Sequence, residues 1–457
     1  MALTADTKIN DFLDETEQYI ERLDGLSFDV AGELYDLLDE AAMAATAHIR
    51  DIDPELRVAI CDRRDKVLER IVDALPPFTP TEKPPSVYTP AIQGYRKWAN
   101  AELMKDKGLA GYLLAKEIGG NSTMYFGDKA ADYPYLSELP GMEMLYTESP
   151  NISEEYRKHL YEEYENIDVL VLHGMYEQTI GYLHVYRELH PDGKVYCGLD
   201  MNTYWLENSI KWTHPAVMKF GEMCDVTATS CRSVRDALNR RSDIYFACHW
   251  LPNGFYNPAN FPIIADHNVK ENVILTVGRI GIPEKNHEEL LEGFARAAKS
   301  KKMDGWILRI VGAIDRKFEP FADNFFKRYP KMKKRVIFTG QITDKAELYA
   351  EYAKAKIFAL TSRVEGGAPN VYAEALFHGC MFITSSIDAA DEMTNSGQLG
   401  AVYDIGNVSA LADAMLKMCE KADRSATQEH IPKALEYATR YFDWNRNAKK
   451  LAYMLYK

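Results

Sequence analysis

Short runs of apolar residues alternate with helix-patterned stretches from about residue 99 onward, and this rhythm constrains the fold more than any other feature. A repeating strand and helix buries each strand on both faces and returns the chain through the helix, which builds a parallel sheet. The runs predict a first series of strands at 101–104, 123–126, 143–146, 168–173, 194–199, 226–229 and 245–251, with helices such as 152–165 and 176–190 between them. A second series follows the Pro252-Asn253-Gly254 turn, at 273–277, 306–311, 335–339, 357–360, 381–384 and 401–403. The expected class is α/β, with two doubly wound parallel-sheet domains facing a cleft. Ligands of such sheets bind beyond the carboxyl ends of the strands. The expected boundaries are 99–256 for the first domain and 257–432 for the second. Residues 433–457 are read as a returning helical segment that packs on the first domain.

The first hundred residues read differently. Ile9, Phe12, Leu13, Thr16, Tyr19, Ile20 and Leu23 recur at the spacing of an amphipathic helix, and similar patterns cover 34–49 and 58–75. Pro76, Pro77, Pro80, Pro84, Pro85 and Pro90 then crowd a short stretch, a density that neither a helix nor a central strand tolerates. Residues 1–98 are therefore expected to form a helical N-terminal extension ending in a stiff linker or wrapping arm. Residues 1–75 hold 19 Asp and Glu against 8 Lys and Arg, so most of the formal net charge of −14 lies there, read as a solvated face. Nucleic acid is excluded as an expected partner, because no basic patch laced with aromatic residues stands out.

The seven cysteines are odd in number, scattered and without metal-ligand spacing, which fits reduced, buried thiols. No secretion signal and no run of about 18 apolar residues is present, so a cytoplasmic protein is expected, at most at the inner face of a membrane. The extension is left as the surface for a peripheral membrane or protein partner.

Two stretches carry chemistry. Thr276-Val277-Gly278-Arg279 is a strand running into a glycine turn, with Glu284-Lys285-Asn286 shortly after. Gly278 lets the backbone come close to a ligand, while Arg279 and Lys285 offer a planar fork and a point charge suited to a diphosphate. The second stretch, Thr361 to Ala375, follows a strand and opens a helix near Asn370. A glycine-rich turn ahead of a helix presents amides and a positive dipole end to phosphate. Gly367, Ala368, Asn370 and Val371 are the amide donors, and Glu365 and Glu374 stand far enough apart to serve different parts of one ligand. No Asp-x-Asp pair stands in a loop suited to a divalent cation bridging phosphates, so no metal is expected.

These residues resemble the retaining glycosyltransferases of family 4, whose fold is the GT-B pair of Rossmann-like domains. The resemblance is carried by VGRI with EKN, by SRVEGGAPNVYAEALFHGC, by the following ITSS strand and by the HWLPNGFYN stretch at 249–257. It covers roughly residues 100–457, specifically in the C-terminal half and loosely before it. It implies transfer of a hexosyl group, with retention, from a nucleotide-diphosphate sugar, UDP- or GDP-linked, to a glycan, lipid-linked or protein-borne acceptor, with no cofactor needed. Polysaccharide or glycoconjugate assembly is the implied setting. Arg279 and Lys285 become the diphosphate clamp, Glu374 the ribose ligand and Glu365 the carboxylate beside the donor sugar, with Gly366 and Gly367 allowing close backbone approach. Glu365 and Glu374 enclose eight residues where the family commonly has seven, an extra residue that the GGAP turn can absorb. In the first domain the resemblance makes His173, at a strand end, part of the reaction centre, and the Lys105-Asp106-Lys107-Gly108 stretch the acceptor-side glycine loop. Asp200 and Asn202 are weaker candidates for acceptor hydroxyls, read first as turn and cap residues. Two alternatives share these residues: an epimerase or phosphorylase on the same fold, and a catalytically silent partner subunit.

Overall fold

The computed structural model describes residues 5–22, 27–48, 51–78, 83–91, 97–149, 152–212, 214–258 and 261–457. The chain forms two compact units, one of Met1–Pro252 with Trp444–Lys457 and the other of Asn253–Asp443.

The first unit opens with helices α1 (Ala5–Glu21), α2 (Phe28–Ala47) and α3 (Pro54–Ala74). Ser27 caps α2 by accepting from Val30 N–H, and Asp53 with Pro54 starts α3, the residue types that helix starts favour. A seven-stranded, all-parallel sheet follows: β1 (Ser86–Pro90), β2 (Asn121–Asp128), β3 (Met142–Thr147), β4 (Val169–His173), β5 (Lys194–Leu199), β6 (Val226–Thr229) and β7 (His249–Trp250), in the order β3-β2-β1-β4-β5-β6-β7. The second unit holds a six-stranded parallel sheet of β8 (Glu271–Val277), β9 (Ile307–Val311), β10 (Val336–Gly340), β11 (Ala355–Leu360), β12 (Met381–Ser385) and β13 (Gly400–Tyr403), in the order β10-β9-β8-β11-β12-β13. Its core packs Ile274, Leu308, Ile357 and Ile383 of the sheet against Leu290, Phe294, Leu411 and Met415 of the helices His287–Ala297 and Val408–Lys421. Both sheets are doubly wound. The strand order reverses at β1/β4 in the first and at β8/β11 in the second, and these are the points where such sheets bind ligands.

The expected first strand at 101–104 is instead the helix Asn100–Leu103, and the true first strand lies in the proline-rich stretch read as linker. The proline rule fails here for a local reason. Ala91 N–H donates to Tyr125 O on the β2 side at 3.1 Å, so the alternation of a parallel strand turns position 90 toward β4. The ladder to β4 pairs only Val87 and Tyr88, and Pro90 removes a donor that has no partner to lose. The last expected strand of this series, 245–251, shortens to the two residues of β7.

The acidic extension is not a solvated face throughout. Arg64, fully buried, donates to Asp39 at 2.9 Å and to Cys248 O at 3.1 Å, while Arg235 reaches Asp65 at 2.8 Å and Asp62 at 3.0 Å. Burial would lift the Asp39 carboxyl, but Arg64, His249 and Lys457 outweigh it and hold it at about 2. Burial also opposes ionisation of Asp65, and a hydrogen bond to His249 with the charges of Arg235 and Arg64 holds it well below the carboxylate range. The helix Trp444–Tyr456 joins this network, since Glu69 of α3 pairs with Lys450 and, at 3.3 Å, with Arg446. Lys450→Met is expected to cost about 2 kcal/mol by urea unfolding, moderated because Arg446 still faces Glu69. An unchanged midpoint would show that this ion pair does not hold the terminal helix.

Candidate active site

The carboxyl ends of β8 and β11, the two strands at the switch in the second unit, bring the expected residues of this half onto neighbouring loops. After β8 the chain turns at Gly278, whose N–H donates to Val311 O at 2.9 Å. Gly312 follows β9, and a side chain there would put its first carbon 1.8 Å from Gly278 O, so the two strand ends approach closely only because position 312 is glycine. Arg279 next in line is exposed and makes no ion pair among the described residues.

Lys285 closes the short turn Pro283–Lys285, and Asn286 then adopts a left-handed conformation (φ 52°) that starts the helix His287–Ala297. The buried Asn286 amide donates to Glu289, and its carbonyl accepts from Arg363 Nη2 at 2.8 Å. Arg363 N–H donates to Glu284 O at 2.7 Å, and the Thr361 hydroxyl lies 3.2 Å from the carbonyls of both Lys285 and Asn286. These bonds lace the β8 and β11 loops together, and at the seam Lys285 forms an ion pair with Glu365. The Ser362 hydroxyl donates to the same Glu365 oxygen at 2.5 Å, and Ser385 in turn fixes the Ser362 carbonyl at 2.6 Å.

Gly367 takes φ 125° in the turn that follows, a conformation open to glycine, and the turn delivers the helix Asn370–Phe377 behind Pro369. Proline has no polar side chain to cap that helix, and its first-turn amides belong to Asn370, Val371 and Tyr372. Glu374 lies one turn further on, accepts from the Tyr352 hydroxyl at 2.7 Å and stands 3.6 Å from Lys345. The structure thus joins Lys285 to Glu365 directly and gives Glu374 separate partners. Ser362, Asn286, Tyr352 and Lys345 were not singled out by the sequence, because their roles depend on contacts between elements far apart along the chain.

The first unit has a cluster of its own at the ends of β4 and β5. His173, the last residue of β4, puts Nε2 2.8 Å from Asp106 Oδ2. Asp200, just past β5, lies 3.7 Å from Lys107 and is hydrogen-bonded by the Tyr176 hydroxyl. Burial raises the Asp200 carboxyl above its usual range; His173 and Lys107 oppose the shift and Asp106 adds to it. Gly108 is not in a loop between strand and helix as expected. It is the third residue of the helix Asp106–Glu117, where a side chain would meet the Leu103 carbonyl at 2.4 Å, so glycine lets this helix follow Asn100–Leu103 after only two residues. Asn202 caps the next helix, the cap role expected of it.

Residues 271–421 match the family model described as Glycosyl transferases group 1. The second unit is thus similar to a group 1 glycosyltransferase domain. The group 1 match spans β8 through the helix Val408–Lys421 and so contains every second-unit residue described above. The fold is that of GT-B glycosyltransferases. A glycosyltransferase of Rickettsia africae superposes over 81% of this chain and 97% of its own with a TM-score of 0.58 at 14% identity. HepE of Anabaena, in complex with UDP, does so over 81% and 99% with a TM-score of 0.59 at 15% identity. Sucrose-phosphate synthase of Thermosynechococcus elongatus covers 80% and 97%, with a TM-score of 0.59 at 16% identity. No curated protein sequence gives a match. No described helix is long and apolar enough to cross a membrane.

Proposed function

We propose that the chain is a retaining glycosyltransferase of the family 4 type that moves a hexosyl group from a UDP- or GDP-sugar to a glycan, lipid-linked or protein-borne acceptor. The observation that carries this reading is the meeting of Lys285 and Glu365 at the β8/β11 switch, on the loops that also carry Arg279 after β8 and lead into the helix Asn370–Phe377 after β11. Departure of a nucleotide diphosphate builds negative charge on the leaving oxygen. Fixed cations and a helix N-terminus stabilise that charge without reorganising. In this reading Arg279 and Lys285 take the pyrophosphate with the amides of Gly367, Asn370 and Val371. Glu365 faces the donor sugar and Glu374 the ribose diol. Gly278 and Gly366 keep the loops thin enough for backbone contact. His173 lies on the acceptor side. The HepE structures with UDP and with UDP-glucose support a nucleotide-sugar donor.

The reading includes a setting in cytoplasmic polysaccharide or glycoconjugate assembly. A thermal-shift series with UDP-, GDP-, ADP- and TDP-sugars tests the donor. At 100 times its dissociation constant the true donor stabilises the folded chain by about 2.7 kcal/mol, a rise of several degrees in Tm. If every member of the series leaves Tm where it was, the donor reading fails.

A further inference from the structure

Two nine-residue stretches of the second unit, 296–304 and 327–335, hold 10 Lys and Arg against a single Asp, in a unit whose residues Asn253–Asp443 carry 25 charges of each sign. The chain as a whole is acidic, so this is segregation of charge and not abundance of cations. The fold brings the two stretches together. The turn Lys301–Met303 leads into β9 and the turn Pro330–Lys334 into β10, neighbouring strands of one parallel sheet. Arg335 fastens the second turn to the first. Its guanidinium donates to Trp306 O at 3.0 Å and to Met303 O, and its carbonyl accepts from Leu308 N–H at 2.8 Å.

Lys299, Lys301, Lys327, Lys331, Lys333 and Lys334 are exposed and form no ion pair among the described residues. Lys302 pairs with Glu420 at 2.6 Å and Arg328 with Glu292. Like charges gathered on one face repel one another, a cost that an anionic counterpart relieves. That counterpart is not the diphosphate of a sugar donor. The lysines stand at the amino ends of β9 and β10, whereas the Lys285 and Glu365 pair lies beyond the carboxyl ends of β8 and β11, at the other end of the same parallel sheet.

The side-chain types choose among anionic partners. Arg328 and Arg335, whose planar forks suit fixed phosphate contacts, are engaged by Glu292 and by backbone carbonyls, so what faces water is mainly lysine, a point charge on a flexible stem. Tyr329, the one aromatic residue in the two stretches, is partly buried and donates to Glu292 at 3.1 Å, so no free ring is offered to a nucleic-acid base. Protein interfaces are depleted in Lys and built around Tyr, Trp and Arg. A layer of anionic headgroups asks for neither rings nor fixed forks, and clusters of about four to eight cations suffice for it. We infer that this end of the second unit is a docking surface for an anionic lipid bilayer, held by the six unpaired lysines. The inference rests on the placement of charge alone and stands apart from the transferase reading. Acidity elsewhere in the chain does not cancel the attraction at physiological salt, where exposed charges more than about 8 Å away are largely screened. Neither stretch exposes a large apolar side chain, so the binding is electrostatic and sensitive to salt.

The test is sedimentation of the full chain with vesicles of phosphatidylcholine, either alone or with about one third phosphatidylglycerol. Anionic vesicles are expected to carry the protein down at about 50 mM salt and to release most of it by about 500 mM, while neutral vesicles leave it in solution. Lys331→Glu combined with Lys333→Glu and Lys334→Glu is expected to weaken partitioning about a hundredfold or more, and Arg at the same three positions to keep it within about threefold. Lys129→Glu combined with Lys158→Glu and Lys219→Glu, at exposed lysines of the first unit, changes the net charge equally and is expected to leave partitioning within about threefold. All of these side chains face water, so each variant is expected to melt within about 3 °C of wild type. The inference is overturned if anionic vesicles carry down no protein at low salt, if neutral vesicles do so equally, if the reversal at 331, 333 and 334 binds like wild type, or if the first-unit reversal loses as much. It is equally overturned if the protein sediments to the same extent without vesicles, the sign of self-association. The last overturning result is an RNA of about 30 nucleotides that binds more tightly than the anionic vesicles at the same salt and loses that binding in the reversal at 331, 333 and 334.

Discussion

Lys285→Ala is expected to lower kcat/KM for transfer by about 10²- to 10³-fold, the loss seen when one preorganised group facing a developing anion is removed. The fold is expected to tolerate the change. Lys285 and Glu365 are 21% and 14% exposed, and a partly hydrated ion pair contributes about 1 kcal/mol or less. Glu365→Gln keeps an acceptor for the Ser362 hydroxyl but removes the charge, and a similar loss is expected if the carboxylate acts on the donor sugar. The double variant separates function from structure. Were the pair only a tie between the β8 and β11 loops, removing both partners would relieve the unpaired charge and restore much of what either single change lost. In the proposed function the double variant stays as slow as the slower single one, because residues that act as a unit are not additive. Initial rates of labelled sugar entering acceptor, with Tm on the same samples, decide it. Turnover within about threefold of wild type in either single variant would falsify the assignment.

The parts of this molecule that the sequence makes legible are those decided locally. Strands such as β4, β5, β8, β11 and β12 are buried on both faces, so they read as unbroken apolar runs whatever lies around them. The glycines and charges of the β8 and β11 loops are legible for the same reason, being packed into two short stretches. β1 was hidden because the tolerance of Pro90 depends on where the ladder to β4 ends, a fact of tertiary pairing. Glu374 could be singled out, but its partners Tyr352 and Lys345 could not, since they come from another helix. The acidity of the extension misled in one direction: composition cannot tell an Asp facing water from Asp65, which faces Arg235 and Trp250 N–H inside the unit.

Acidification is expected to unfold the second unit well before its carboxylates are titrated. His287, His378 and His430 are each brought down from 6.5 to about 4, in every case mainly by burial, which disfavours the charged ring. The sign follows from the order of the two values. The unfolded ring takes a proton near 6.5 and the folded ring resists until about 4, so the stability is whole above 6.5 and drains away as pH falls through that interval. A shift of that size is worth about 3 kcal/mol per ring, and three rings together rival the entire stability of a domain. The contacts explain the resistance. His378 Nδ1 faces Glu374 O at 2.7 Å and His430 Nε2 faces Cys380 O at 2.9 Å, so each ring already spends its one proton on a carbonyl. A second proton on His378 would sit on Nε2, buried and with no acceptor among the described residues. Lys270, buried and donating to His378 O at 2.6 Å, adds repulsion to both rings. Urea midpoints between pH 7.5 and 4.5 are expected to fall steeply below 6.5, with a shallower fall in His378→Gln. The donor-induced thermal shift is expected to vanish over the same interval, because His378 caps the helix that carries Glu374. A midpoint that stays level down to pH 5, or a slope in His378→Gln no shallower than wild type, would remove the buried rings as the cause.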